Sequence, residues 1–309
     1  MAAPNPPAQH NLRLRADLTL LLVSVIWGSA FVAQRVAAQH MGGYLFNGLR
    51  FLLGALVLLP LALQRRQTAP LSGRGALPWV LLAGGLIFIG ASLQQLGMRY
   101  TTAGNAGFIT GLYVVLIPVI LAIGWRQPPR PVVWLAAALA TMGLFLLSTG
   151  GRFTLALGDA LELAGAFMWA FHLILIGWLV QRVSVPKLAV AQYLICGLLS
   201  LLFSLFVETN SLHGVTVVWW TVVYTGILSI GVGYTLQAVG QKVAPPADAA
   251  ILLSLEAVFA ALAGWLILGE LLTSVQLIGC GLMLVGMVLA QAGTFVSARK
   301  GMLDDQRLA

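Results

Sequence analysis

The chain has 309 residues, of which 60% are apolar and only 8% are charged. A water-soluble protein carries about 25% charged residues. This composition therefore cannot cover a water-facing surface, and it excludes an ordinary cytosolic enzyme, a disordered tail and a nucleic-acid binder. The net charge of +8 comes from 17 basic residues set in short interruptions between long apolar runs. That is a membrane pattern, not a DNA-binding patch.

A helix needs about 20 apolar residues to cross about 30 Å of hydrocarbon. Ten such segments are predicted, at about residues 17–37, 44–63, 77–98, 103–124, 131–149, 158–180, 188–207, 216–240, 246–268 and 273–293. Residues 1–16 open on MAAPNPPAQH, rich in Pro and Ala, and are expected to be a disordered cytoplasmic N-terminus. Arg13 and Arg15 precede the first apolar run, which is longer than the roughly 7–15 residues of a signal-peptide core, so it is read as a permanent helix. Residues 294–309 form a short polar tail. No stretch is left for a soluble domain, so the chemistry of this protein lies inside the bilayer.

Cys196 and Cys280 fall mid-span with no C-x-x-C motif or His cluster beside them. They read as apolar filler, not as a disulfide or metal site. No cofactor is expected. The G-x-x-x-x-G-K-[S/T] phosphate loop is absent from the sequence, so ATP does not drive this protein directly. The expected partners are a small-molecule substrate and membrane lipids, with no nucleic acid; monomer and dimer both remain open.

Lys and Arg mark cytoplasmic loops. With the N-terminus inside, 13 of the 17 basic residues fall in inside loops or tails. Arg35, Arg99 and Arg152 fall outside, and Arg50 lies within a span. Both termini are thus expected on the cytoplasmic side of a plasma or inner membrane.

The chain matches itself at an offset of 142–143 residues. Asp17 meets Asp159, Trp27 meets Trp169, Gly90 meets Gly233, Gln94 meets Gln237, Asn105 meets Asp248, Leu112 meets Leu255 and Gly143 meets Gly286. Two repeats follow, at 17–150 and 151–293. Each holds five predicted spans, an odd number, so the second must enter the membrane upside down relative to the first. Inverted repeats are a feature of secondary transporters, which place the substrate at the midplane between the halves.

Several motifs carry a family resemblance. They are W-G-S-A-F at Trp27–Phe31, R-F-L-L at Arg50–Leu53 and N-A-G-F-I-T-G-L-Y-V-V-L-I-P at Asn105–Pro118. The second half has A-P-P-A-D-A-A at Ala244–Ala250 and L-S-L-E-A-V-F-A-A-L-A-G-W-L-I-L-G-E at Leu253–Glu270. Over nearly its whole length the chain resembles the drug/metabolite transporter superfamily in its ten-helix form with two EamA repeats. The resemblance implies an all-α membrane protein, in which spans one to four and six to nine surround a central cavity and spans five and ten pack outside. Within the superfamily the chain is most similar to bacterial exporters of amino acids and related metabolites. The resemblance implies an exporter, and the inverted repeat favours alternating access; the apolar, aromatic and amide-bearing candidate set suits aromatic or other neutral amino acids first, with cationic drugs as the alternative. An intramembrane enzyme is the third reading: H-E-x-x-H is absent, no Asp pair lies at depth, and a Ser/His dyad has no supporting motif. The family often has Pro after the Glu of the S-L-E stretch, where this chain has Ala257, which puts a proline kink in span nine in doubt. Pro118 in span four is expected to kink its helix and serve gating.

Most tryptophans lie near span ends, where interfacial aromatics gather. Trp27 and Trp169 are mid-span and repeat-equivalent, so they either pack helix against helix or face each other across a cavity. Charges within a bilayer are costly and are functional candidates by default. Arg50 either snorkels to headgroups or clamps a substrate carboxylate. Glu256 lies too deep to snorkel and is expected to face the cavity or an interhelical partner. Glu162 is expected to touch headgroup water, Glu270 to cap the turn after span nine, and Asp17, Asp159 and Asp248 to sit at helix N-termini. His172 shares a helix face with Trp169 and, with Glu256, is the best proton-coupling candidate. Gln94, Gln237, Asn105, Thr110, Tyr113, Tyr234 and Ser254 add neutral polar groups in the spans that the resemblance places around the cavity; they either bind substrate there or bond helix to helix. Ala103/Gly107 and Ala166/Ala170 mark close helix contacts.

Overall fold

A computed structural model describes residues 6–64, 75–101, 103–126, 128–149, 157–209, 212–268 and 273–289. The described residues are helical apart from turns and short connections. Eight helices are long and apolar enough to cross a membrane, and Pro131–Leu147 and Ser274–Leu289 are shorter apolar helices.

The first is α1 (Pro6–His40), followed by α2 (Gly43–Leu63) and α3 (Leu77–Gly97). The fourth crossing is made of α4 (Ala103–Gly111) and α5 (Tyr113–Gly124), and α6 (Pro131–Thr149) follows. Then come α7 (Leu157–Leu179), α8 (Val185–Val207) and the short α9 (Leu212–Val217). The next crossing joins α10 (Trp219–Tyr224), a π-helical segment (Thr225–Tyr234) and α11 (Thr235–Gly240). The last long one is α12 (Pro246–Leu253) with α13 (Glu256–Leu268). The shorter helix Ser274–Leu289, here α14, is the last described element.

Two expectations near the N-terminus are corrected. Helix α1 begins at Pro6, so residues 6–16, expected to be disordered, form its first turns. Asp17 therefore lies inside α1, not at its start, where Arg13 one turn earlier pairs with it at 3.0 Å. Asp159 and Asp248 do fall in the first turns of α7 and α12. Glu270, the loop carrying Arg65, Arg66 and Arg74, Arg152 and residues 290–309 lie outside the described residues.

We call the end of the bundle where α1 starts the near end and the opposite one the far end. Arg13 bonds Asp248 at the start of α12, which fixes the near end. At the far end, Thr101 after α3 bonds Asp159 at the start of α7, and Glu208 after α8 bonds the backbone N–H groups of Tyr44 and Leu45 at the start of α2.

Helix α2 packs along α8, α3 along α7, and α1 along both the π-helical crossing and α13. Shifted by one repeat, the α3–α7 pair becomes the π-crossing–α1 pair, and α1–α13 becomes α7–α5, which also pack together. Small residues set the closest approaches: Gly143 on α6 and Gly279 on α14 face each other so tightly that a Cβ on either would lie 2.5 Å from the other's carbonyl oxygen. Gly107 lies against Ala257 and Ala260 of α13. In lipid, close van der Waals packing of this kind holds helices together, because apolar burial between helices gains little over lipid contact. The outer face is apolar: Leu205 and Phe206 of α8 are 73% and 84% exposed, a surface that suits lipid and would aggregate in water.

Two crossings are interrupted at equivalent places. Between α4 and α5 the amide of Leu112 bonds Ile109 O at 3.2 Å, and between α12 and α13 that of Leu255 bonds Leu252 O at 3.3 Å. These are tightened turns with i to i−3 bonds. The fourth crossing breaks at Leu112, and Pro118, where a kink is expected, lies six residues further on inside α5. The crossing made of α12 and α13 breaks at Ser254–Leu255 although Ala257 stands where the family's proline often does.

Candidate functional site

The interruptions place side chains around a cavity in the middle of the bundle. Tyr113 is the first residue of α5 and Glu256 the first of α13, so each follows a broken turn. The Tyr113 hydroxyl donates to Glu256 Oε1 at 2.9 Å, and both residues are buried. This cavity is also lined by Trp27, Phe31 and Gln34 of α1, Arg50 of α2, Gln94 of α3, Thr110 of α4, and Trp169, His172 and Leu173 of α7. Ser229, Tyr234 and Gln237 complete it. Its volume is about 40 Å³. That is room for two or three water molecules, since one needs at least about 10–15 Å³. The cavity as described is therefore too small to hold an amino acid.

The aromatic wall has Tyr234 at its centre. Its ring lies 4.6 Å from that of Trp27 and 6.0 Å from that of Trp169, centroid to centroid. Trp27 donates its indole N–H to Ser229 O at 3.1 Å, and Trp169 donates to Gln94 Oε1 at 3.1 Å. The two tryptophans thus reach the cavity, with Tyr234 between them. His172 is nearly fully buried and bonds Gln192 of α8 through Nε2 at 3.1 Å, so one ring nitrogen is committed to packing.

Arg50 turns into the cavity and does not snorkel. It is 3% exposed, with Nε donating to Asn47 Oδ1 at 3.0 Å and a terminal nitrogen donating to Gln34 Oε1 at 2.8 Å. The rings of Phe46 and Phe51 lie 4.9 and 5.3 Å from its guanidinium carbon. Among the described residues no carboxylate pairs with it. A buried guanidinium held only by neutral amides and ring faces is costly in an apolar interior and suits a carboxylate brought from outside.

The other sequence-derived candidates fall elsewhere. Ser254 lies in the α12–α13 break, where its hydroxyl bonds Ile251 O, and it does not line the cavity. The side chain of Asn105 is outside the described set. Glu162, expected at headgroup water, is 0% exposed, because α3 and α4 close over it. The sequence reading missed Phe31, Gln34, Leu173 and Ser229. Phe31 and Gln34 stand four and seven residues after Trp27 and share its helix face, a signal the periodicity carried. Ser229 contributes a backbone carbonyl in a π-helical segment, which no residue type announces.

At the near end Asp248 accepts from Arg13 at 3.0 Å and from Arg130 at 3.3 Å, tying α1, the approach to α6 and α12 together. A second hollow of about 1100 Å³ lies beside this cluster, walled mainly by apolar residues such as Trp79, Leu86, Leu121 and Trp178.

Comparison with known proteins gives the family. The EamA-like transporter family matches twice, over residues 14–149 and 156–291. A protein of Archaeoglobus fulgidus named "Uncharacterized transporter" is 34% identical over 90% of this chain and 86% of its own. The threonine/homoserine exporter RhtA of Escherichia coli is 28% identical over 96% of both chains. The inner membrane transporter YedA of the same species is 22% identical over 91% and 92%. A solved crystal structure aligns with a TM-score of 0.76 at 19% identity, covering 92% of this chain and 98% of that one, a likeness of fold. Two family matches that together cover most of the chain, a helical bundle with eight candidate spans and a polar cavity inside it lead to one conclusion: this chain is a multi-pass membrane transporter of the EamA-like transporter family.

Proposed function

We propose that the protein exports small zwitterionic amino acids through the central cavity, by alternating access of two inverted five-helix halves. The observation that carries this reading is the buried Arg50 without an acidic partner, in the same small cavity as Glu256. A zwitterion completes both. Its carboxylate takes the two-pronged guanidinium, and its ammonium lies near Glu256 and the faces of Trp27, Trp169 and Tyr234. Gln94 and Gln237 supply neutral donors and acceptors between the two charges.

The substrate class is neutral amino acids, aromatic ones included, for which the ring-lined wall offers a stacking surface. The threonine/homoserine exporter among the relatives supports the amino-acid class and the outward direction. Arg50 opposes a cationic drug, because a second cation in the cavity would repel it. The EamA-type relatives, all transporters, weigh against an intramembrane enzyme.

Inversion is supported by the reciprocal helix pairs and by helix breaks at equivalent residues in the two halves. The excess of Lys and Arg at the near end orients it, with both termini, toward the cytoplasm. Alternating access then opens the cavity first to that side and next to the other.

Purified protein in liposomes tests this reading against labelled threonine, homoserine, phenylalanine and tryptophan. The expected result is saturable uptake accelerated by unlabelled amino acid on the far side of the bilayer. Arg50→Gln is expected to weaken the amino acid at least tenfold while leaving the matching amine, which lacks the carboxylate, within about threefold. Absence of counterflow for every neutral amino acid would overturn the proposal.

A further inference from the structure

The cavity does not account for the most deeply buried carboxyl of α7. Glu162 is 0% exposed. Its Oε2 accepts from Thr110 Oγ1 at 3.3 Å, and its Oε1 has no hydrogen-bond partner. Gly97 of α3 lies against Oε1, so a Cβ there would stand 3.0 Å from it. No cation pairs with Glu162 among the described residues.

The surroundings give this carboxyl one acidic neighbour. From α3 it meets Gly97 and from α4 Thr110, neither of which titrates; on its own helix Asp159 stands one turn earlier. Asp159 accepts from Thr101 Oγ1 at 2.5 Å, at the far end of the bundle. On the other side, Thr110 lines the central cavity, and Tyr113, one turn further along, bonds Glu256. A file of polar groups therefore runs from the far end to the cavity: Thr101, Asp159, Glu162, Thr110, Tyr113 and Glu256.

A buried carboxyl without a cation is held neutral, because burying an unpaired ion costs several kcal/mol. It can ionise only when water or a charge reaches it. In an otherwise apolar bundle such groups mark ion and proton paths.

We propose that Glu162 is a proton-binding site on the far-end side of the cavity, loaded and emptied once per transport cycle. The proposal rests on the transporter reading above. In the described state Glu162 carries the proton. When the far end opens, water enters between α3, α4 and α7 and the carboxyl exchanges its proton there. Thr110 reports the protonation state to the cavity, since its hydroxyl bonds Glu162 and its helix ends at the break before Tyr113.

Two measurements test this. The first needs no substrate: potentiometric titration of detergent-solubilised wild type and Glu162→Gln. The expected difference is one proton, which wild type releases on alkaline titration as the substrate-free protein opens at the far end and which Glu162→Gln lacks. Superimposed titration curves would overturn the proposal, whatever the protein transports. The second uses labelled threonine in liposomes and compares accumulation driven by a pH gradient with counterflow. In Glu162→Gln the ratio of gradient-driven uptake to counterflow is expected to fall at least tenfold, and Glu162→Asp to recover part of it. A ratio within twofold of wild type overturns the proposal. Should Glu162→Gln fail to fold, Thr110→Val keeps the carboxyl and removes its hydrogen bond. The pH of half-maximal gradient-driven uptake is then expected to move by about half a unit or more, and an unmoved profile overturns the proposal. If neither wild type nor variant moves any amino acid while the one-proton difference is present, the substrate assignment fails and the proton site stands.

Discussion

Tyr113 and Glu256 are separated by 143 residues, the repeat offset, and their side chains bond each other at 2.9 Å. Each opens the second half of a broken crossing. One repeat has contributed the hydroxyl and the other the carboxyl of a single buried contact, so the two halves meet at positions that are equivalent in sequence and different in chemistry.

Removing this bond separates its role from packing. Tyr113→Phe keeps the ring and loses the donor, leaving the buried Glu256 oxygen short of a partner at a cost of about 1–3 kcal/mol. Transport at limiting substrate is expected to fall about tenfold or more. Glu256→Gln is expected to fall similarly, and the double variant to lose less than the product of the two, because both act on one contact. Initial rates in liposomes for the three variants provide the check; multiplicative losses would show that the residues act separately.

The tryptophans test the equivalence of the halves in another way. A Cβ at Gly90 would lie 3.2 Å from the Trp169 ring, and one at Gly233 would lie 2.6 Å from the Trp27 indole nitrogen. Both Gly→Ala variants are expected to be destabilised. Gly233→Ala should lose the more, by about 1–3 kcal/mol, because its clash is the shorter. Thermal unfolding in detergent, followed by indole fluorescence, measures the order.

Glu208 is a structural carboxylate whose partners are backbone. Its two oxygens accept from the N–H groups of Tyr44 and Leu45, each at 2.9 Å, and Ser204 donates to it as well. It therefore caps α2 from the end of α8, where the helix dipole favours a negative group. Glu208→Ala is expected to cost about 1–2 kcal/mol of stability. The affinity for substrate should stay within about twofold of wild type. A large loss of affinity with unchanged stability would contradict the capping role.

The near-end cluster gives a conformational prediction. Asp248 holds Arg13 and Arg130 at 3.0 and 3.3 Å. Asp248→Asn removes the charge that holds both and is expected to favour opening at that end. In a background without Cys196 and Cys280, a cysteine at Leu173, which lines the cavity, should react severalfold faster with a soluble thiol reagent added at the near side. An unchanged rate would mean that the cluster does not hold the near end closed.

Much of this molecule was readable before any coordinates. Composition forces the apolar segments into a bilayer, since water could not solvate them. The described crossings fall within a few residues of the apolar runs, because a helix must satisfy its own backbone across the hydrocarbon. The exception is the start of α1. Its polar and proline-containing turns gave no apolar signal, yet they are helical from Pro6, with Arg13 tied to Asp17 and Asp248.

Hydropathy and duplication were legible in the residues alone: hydropathy sets where helices cross, and the 142–143 offset pairs Trp27 with Trp169 and Gln94 with Gln237. Tertiary structure alone decided where each polar group points. Periodicity gives a face but not the neighbour that covers it. Arg50 could have snorkelled and turns inward because Asn47 and Gln34 receive it. Glu162 could have met water and is sealed because α3 and α4 close against α7. The bond between Tyr113 and Glu256 likewise joins two distant segments, and no local residue preference encodes that meeting.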